Sequence, residues 1–188
     1  MADFVHNLPL SNRPREDEST VTSNRRVEMA TVVEEAARLL AAASVDEVAR
    51  AALLNSFLAD ARISEDAARS PGLGSVSGLT ELGAAIRAGR RRNVRALSHC
   101  VRAILRLADA LSLEPRLTAT TSGAVALYAA TTAPLERRAV VAGHTIRATD
   151  ADWAFGWGPL LEGTALQIVA FLLGTSEVPP VAARSTRP

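Results

Sequence analysis

The 188-residue chain contains no lysine, a single cysteine and few aromatic residues. All 21 basic residues are therefore arginines, and 20 acidic residues balance them to a net charge of +1. A chain so close to neutral gives no global electrostatic reason to expect binding to nucleic acid or to an anionic membrane. Because Cys100 is the only cysteine, an internal disulfide framework and a cysteine-based zinc module are excluded.

The sequence also lacks a long hydrophobic run and a secretory signal. Its longest apolar stretch, from Ala165 to Leu173, is far shorter than the roughly 20 residues that cross a bilayer. The first residues show no basic segment followed by an apolar one. We therefore predict a cytoplasmic protein with no membrane partner.

Hydrophobic residues make up 48% of the chain, and their spacing is mostly helical. Apolar residues recur at intervals of three and four from about Arg25 to Ala43 and again from Leu79 to Leu113. Ser44 is the predicted N-cap of a helix between these two. From Val140 onward the alternation is typical of strands. The predicted fold class is mainly α with a small α+β C-terminal part, in which a β-hairpin precedes a helix ending at Gly174.

These patterns divide the chain into four segments. Residues 1–24 are a predicted flexible leader, residues 25–113 a helical bundle, residues 114–174 the small α+β part, and residues 175–188 a disordered tail. The stretch 70–75, rich in Pro, Gly and Ser, predicts a break between helices. A bundle with so few aromatic residues is a candidate for homodimer formation, because one apolar face could stay uncovered.

The three histidines are the first candidates for metal binding or acid–base chemistry. His6 lies in the polar leader, His99 on the predicted helix from Leu79 to Leu113, and His144 at the start of a predicted strand. No two of them have the spacing of a histidine metal motif. For His99, a surface position is the alternative to a ligand role. Cys100 falls on the apolar face of the same helix, which predicts an inert buried thiol.

The same predicted helix carries a stripe of arginines. One arc, at about 100° per residue, contains Arg87, Arg91, Arg95, Arg102 and Arg106. Such a face could bind an acidic partner or phosphates, and the alternative is a solvated surface. No aromatic side chains are interleaved with these arginines for base stacking, so nucleic acid is the less expected partner.

The densest group of unusual residues lies toward the C-terminus. It reads Ala148-Thr149-Asp150-Ala151-Asp152-Trp153 and continues to Gly156, Gly158-Pro159 and Gly163. Two carboxylates beside a tryptophan could line a polar pocket. The structural alternative is that the aspartates form a turn, the tryptophan fills a small core and the glycines set backbone angles.

This segment resembles the C-terminal part of the mycothiol-dependent maleylpyruvate isomerase family of actinobacterial proteins. In that family the string ATD-x-DW-x-x-G-x-GP-x-x-x-G precedes an apolar helix that ends in Gly. Weaker likenesses at 113–117 and 127–130 extend the resemblance over residues 108–174. The resemblance implies a DinB-like helical bundle followed by a small α+β part. It also implies isomerase or transferase chemistry on a small-molecule electrophile, with a divalent metal (zinc) and the thiol mycothiol as cofactors.

The metal site that the resemblance implies uses an early His after a Cys-x-Gly-Trp stretch, and a Glu and a His four apart on a later helix. In this chain His99 matches the later His, Arg95 stands where the Glu is expected, and Cys-x-Gly-Trp is absent. One explanation is a metal-free, degenerate relative. The other is a gene with compensating frame slips before about residue 108, which a Glu-x-x-x-His in another reading frame would identify.

Overall fold

The structure, a computed structural model, describes residues 23–63 and 75–183. Over these residues the protein is mainly helical, with a small four-stranded sheet and a helix toward the C-terminal end. This architecture confirms the predicted fold class. The predicted leader up to residue 22, with His6, and the predicted break at 70–74 lie outside the described residues. No helix in the described part of the chain combines the length and the hydrophobicity needed to cross a bilayer.

The elements follow one another in a simple order. The first four are α1 (Arg26–Ala42), α2 (Glu47–Asp60), α3 (Val76–Ala88) and α4 (Val94–Leu111). They are followed by α5 (Ala119–Thr132), α6 (Leu135–Val141), β1 (Thr145–Ala148), β2 (Ala154–Gly156) and β3 (Leu160–Gly163). The last two are α7 (Ala165–Leu173) and β4 (Val181–Ala182).

Five of the helices begin at a polar side chain that accepts a hydrogen bond from the first turn. These caps are Asp46, Ser75, Asn93, Thr118 and Thr164. Each cap satisfies a backbone N–H group that has no partner within the helix. At α2 the backbone N–H of Ala49 donates to Asp46 at 2.7 Å. Asp46 therefore takes the role that the sequence analysis predicted for Ser44.

The helical run predicted from Leu79 to Leu113, whose first turns are weakened by Gly83 and Gly89, is two helices, α3 and α4, joined by residues 89–93. This link lies against the start of α1. The backbone N–H of Arg25 donates to the carbonyl of Arg92 at 2.7 Å, and the guanidinium of Arg26 donates to the carbonyl of Gly89 at 3.1 Å. These long-range hydrogen bonds stabilise a break that helical periodicity alone does not indicate.

One hydrophobic core joins the N-terminal helices to the C-terminal part. α1 packs against α3 and α4, α4 also contacts α2, α5 and α7, and α5 packs on α7. The largest fully buried side chains are mostly aliphatic: Phe57, Met29, Leu39, Leu40, Leu54, Ile63, Leu79, Leu82, Leu97, Ile104, Ile146 and Ile168. Burying an aliphatic or aromatic side chain of this size contributes about 1.5–3 kcal/mol, so this shared core is the main source of stability.

The sheet has the strand order β2-β1-β3-β4. β1 and β2 form an antiparallel hairpin in which β2 was not predicted as a strand, whereas β1 and β3 are parallel, with Ile146 opposite Leu161. The strand predicted from Val140 begins later, at Thr145, because residues up to Val141 belong to α6. Short apolar runs fit a helix or a strand equally well, and here the helix follows Pro134, a residue suited to a helix start.

Residues 175–183, predicted to belong to a disordered tail, are ordered. The guanidinium of Arg137 donates to the carbonyls of Phe171 at 2.6 Å and Ser176 at 2.7 Å, and it lies 5.1 Å from the centre of the Phe171 ring. Farther on, β4 pairs with β3 in antiparallel register. The prediction of disorder is therefore wrong for these residues. Their composition is polar, but Arg137 on α6 and the edge strand β3 hold them in place.

Candidate anion-binding site

His99 lies in the middle of α4, on a face crowded with arginine. Arg95 precedes it by four residues and Arg102 follows it by three, a spacing that puts all three side chains on one side of the helix. Arg62, which follows the end of α2, brings a third guanidinium close enough for its charge to act on His99. These four residues are called the arginine–histidine cluster below.

His99 is half-buried, so its side chain lies partly at the surface of α4. Burial lowers the pKa of His99, and the positive charges of Arg62, Arg102 and Arg95 lower it further. The imidazole is therefore neutral at neutral pH. Nε2 of His99 and Nε of Arg102 are buried and have no hydrogen-bond partner among the described residues. Buried nitrogens of this kind normally have partners, so these two atoms are exceptions within the described residues.

The surroundings of His99 do not fit the metal site that the family resemblance implies. A divalent cation needs several carboxylate, imidazole or thiolate ligands, whereas the charged groups acting on His99 are three guanidinium cations. Within residues 23–63 and 75–183, no three His, Cys, Asp or Glu side chains are grouped so that they could hold a metal ion. No chemistry involving zinc is therefore derived for His99.

The predicted arginine stripe divides into paired and unpaired residues. Arg87 donates to both carboxylate oxygens of Glu34, at 2.7 and 2.9 Å, and Arg106 donates to Asp60 at 3.1 Å. Arg91 lies in the link between α3 and α4 rather than on a helix. In the part of the chain that the structure describes, no carboxylate pairs with the three arginines of the cluster. Arg95 and Arg102 are thus arginines of the stripe that have no carboxylate partner among the described residues, whereas Arg87 and Arg106 are neutralised.

The thiol of Cys100 points away from this face and into the core. It is completely buried, and burial raises its pKa to about 12. A buried, protonated thiol is neither a nucleophile nor a metal ligand at neutral pH. The structure confirms the predicted burial of Cys100.

Most residues of the C-terminal motif hold the fold together. Asp150 accepts a hydrogen bond from the backbone N–H of Ala165 at 2.6 Å, at the start of α7. Nε1–H of Trp153 donates to Oγ of Ser122 on α5 at 3.1 Å, and the Trp153 ring stacks on Phe155 with 5.9 Å between ring centres. These contacts favour the structural interpretation of the motif.

The polar pocket that the motif could have formed contains only one of its two carboxylates. Asp152 and Trp153 line a cleft of about 360 Å³ together with Arg25 and Leu127. Asp150 is not part of its wall, because its carboxylate caps α7. The pair of aspartates therefore does not act on a common ligand.

Glu35 is a buried carboxylate that ties α1 to the loop before α5. Its two oxygens accept hydrogen bonds from Arg38 at 2.6 and 2.7 Å, and one of them also accepts from the backbone N–H of Arg116 at 2.7 Å. Burial raises the pKa of Glu35, but the hydrogen bonds from Arg38 and Arg116 outweigh it and lower the pKa below its usual value. The charged form of Glu35 is thus favoured in the folded protein.

We expect Glu35→Gln to lower the free energy of unfolding at neutral pH by about 1.5 kcal/mol, because a charge-assisted pair becomes a neutral one and Arg38 is partly exposed to solvent. Because the pKa of Glu35 is lower in the folded state, its contribution is present above the unfolded value of 4.5 and is lost as pH falls through the folded pKa. Urea unfolding at neutral and acid pH measures both effects. Glu47→Gln, at a carboxylate 79% exposed, is the control and should change little.

The fold and this cluster define a mainly helical protein with a cationic site between two of its helices. No known family model, no curated protein and no solved structure matches the chain. A fold does not by itself define a function.

Sequence reasoning found three members of the cluster and missed the fourth. Arg95, His99 and Arg102 lie on one predicted helix face, so their proximity follows from helical spacing. Arg62 lies in a different segment and joins them because α2 packs on α4. No local signal in the sequence identifies it.

Proposed function

We propose that this chain is a metal-free relative of the mycothiol-dependent maleylpyruvate isomerase family whose arginine–histidine cluster binds an acidic segment of a partner protein. The observation that carries the binding role is the grouping of three arginines around a half-buried histidine, with no carboxylate partner in the described residues. The groups around His99 do not fit the metal ion that thiol-dependent isomerase or transferase chemistry requires.

The proposed relationship is supported by the order of the elements and by the motif. Helices come first, a small sheet follows, and an apolar helix ends at Gly174, as the resemblance implies. Asp150 and Trp153 of the motif make contacts that hold the C-terminal part on α5 and α7. A motif with this structural role is expected to persist in a relative that has no metal site.

The chemistry of the cluster suits carboxylates. A guanidinium can donate two parallel hydrogen bonds to a carboxylate, which makes arginine the usual partner of acidic groups in protein interfaces. Arg95 and Arg102 are seven residues apart, or about 10 Å along the helix axis. A few consecutive acidic residues span that distance.

Nucleic acid fits the same surface less well. Asp60 lies beside Arg106 on the continuation of the stripe, where a sugar-phosphate backbone would meet a negative charge. No aromatic ring of the described residues stacks beside the cluster to receive a base.

Fluorescence anisotropy with a labelled oligo-glutamate peptide tests this proposal. We expect binding at low ionic strength that weakens with added salt, and an affinity about tenfold lower for the double variant Arg95→Gln/Arg102→Gln. The matched control is Arg87→Gln/Arg106→Gln, which removes the same charge from arginines already paired with Glu34 and Asp60. We expect the control to lose less than about twofold.

Three outcomes would overturn the proposal. Equal losses in the two double variants would show that only net charge matters. Tighter binding of an oligothymidylate of the same length would identify a nucleic-acid site instead. Stoichiometric zinc in the purified protein, lost in His99→Ala, would restore metal-dependent chemistry.

A further inference from the structure

A separate cleft of about 400 Å³ lies between α5, α6 and the hairpin of β1 and β2. Its wall combines aromatic and aliphatic side chains with a cation and an imidazole: Thr131, Arg138, Val141, His144, Phe155 and Trp157. Ligand sites typically have such a mostly apolar wall with a few polar groups that fix the orientation of the ligand. None of these residues belongs to the arginine–histidine cluster.

Trp157 is 80% exposed, yet the turn that carries it is held in place. Oγ1–H of Thr145 donates to the carbonyl of Gly158 at 3.1 Å, and the backbone N–H of Thr145 donates to the carbonyl of Pro159 at 2.9 Å. These hydrogen bonds fix the backbone of the turn, and the indole ring of Trp157 forms part of the cleft wall. An exposed aromatic ring of this kind can stack on the flat face of a ligand.

Arg138 supplies a positive charge to this wall. Its guanidinium has no hydrogen-bond or ion-pair partner within residues 23–63 and 75–183, whereas the adjacent Arg137 is fully engaged with Phe171 and Ser176. Across the cleft, Nδ1 of His144 lies 3.0 Å from the carbonyl of Ala142. When Nδ1 of His144 carries the proton and donates it to the carbonyl of Ala142, Nε2 of His144 can accept a hydrogen bond.

We propose that this cleft binds a small aromatic carboxylate. The aromatic ring of the ligand lies against Trp157 and Phe155, and its carboxylate pairs with Arg138. The charge of Arg138 excludes a cationic ligand, and the apolar wall favours a ring over a short aliphatic anion.

The test is a titration of ¹⁵N-labelled protein with 2-naphthoate, with the neutral 2-naphthalenemethanol as the comparison ligand. The indole N–H signal of Trp157 is identified by its loss in Trp157→Phe. We expect 2-naphthoate to shift this signal and to bind about tenfold more tightly than the neutral ligand. Arg138→Gln should abolish that preference. Arg147→Gln, an exposed arginine paired with Glu162 outside the cleft wall, should keep it.

Either of two results at the cleft would overturn this proposal, and a third, at the arginine–histidine cluster, is given below. The two are an unmoved Trp157 signal and a preference for 2-naphthoate that survives in Arg138→Gln. The spectrum of each variant shows whether it is folded, so a loss of binding cannot be mistaken for unfolding. The Arg95→Gln/Arg102→Gln variant should bind 2-naphthoate as the unmodified protein does. If it does not, the naphthoate is bound at the arginine–histidine cluster and the cleft is not the site.

Discussion

Replacing Trp153 with alanine is expected to lower the free energy of unfolding by about 3 kcal/mol, the low end of the range for a large aromatic residue because the ring is only half-buried. Trp153 fills the space beside Gly123 on α5, where an added Cβ would lie 3.1 Å from its Cδ1 atom. It also stacks on Phe155 and donates a hydrogen bond to the buried Ser122. Removing the ring loses all three interactions together.

Two further variants separate these contributions. Trp153→Phe keeps most of the ring but removes the N–H donor, so we expect a loss of about 1 kcal/mol. Trp157→Ala removes the same residue type four positions later, where it is 80% exposed, and should change the stability by less than about 0.5 kcal/mol. Urea unfolding followed by far-UV circular dichroism compares them without depending on tryptophan fluorescence. Equal effects at Trp153 and Trp157 would contradict a structural role for the motif.

This experiment bears on what the family resemblance means. The motif from Ala148 to Gly163 holds the sheet against α5 and α7. The motif is therefore evidence for a shared fold rather than for a shared reaction. The arginine–histidine cluster consists of Arg62, which follows α2, and three residues of α4, and it lies outside residues 108–174, where the resemblance is found. The relationship to the family and the binding role are therefore independent proposals, and each can fail without the other.

The helices could be predicted because their apolar residues repeat at the helical period, and this signal is local. The break between α3 and α4 could not be predicted in the same way. Both sides of the link keep their apolar spacing, and the link is held by hydrogen bonds from Arg25 and Arg26, more than 60 residues earlier. The sequence shows the glycine of the link but not the partners that make the break favourable.

The small sheet was predicted only in part, for a similar reason. The β1–β2 hairpin joins neighbouring segments through a turn that contains Asp150 and Asp152, residue types typical of turns. The parallel pairing of β1 with β3 and the addition of β4 join segments whose register is set by the buried face of the sheet. Neither β1 and β3 nor β3 and β4 are joined by a short turn whose residues would indicate the pairing.

The candidate site shows the same division between local and long-range information. Helical spacing places Arg95, His99 and Arg102 together, but it does not show which arginines of the stripe are neutralised. Arg87 is paired because α3 packs on α1, which brings Glu34 within 2.7 Å of it. Only the packing of helices shows that Arg87 and Arg106 are neutralised.

Replacing Gly158 with alanine is expected to lower the free energy of unfolding by about 3 kcal/mol, through strain at a positive φ together with a steric clash. Gly158 has φ +110°, and an added Cβ would lie 2.1 Å from the carbonyl oxygen of Gly143. Both atoms belong to backbone segments that the hydrogen bonds of Thr145 hold together. The clash can be relieved only by moving the turn away from the start of β1.

Gly143→Ala is the matched control, because Gly143 also has a positive φ, +72°, but an added Cβ there would meet no atom within 4 Å. We expect it to cost about 1 kcal/mol, the conformational penalty alone. The difference between the two variants, measured by urea unfolding, is the contribution of the close approach between the turn and β1. Similar losses of stability in the two variants would mean that the turn can move away from β1 at no further cost. A larger loss in Gly158→Ala would show that the turn, which carries Trp157, must lie close to the start of β1.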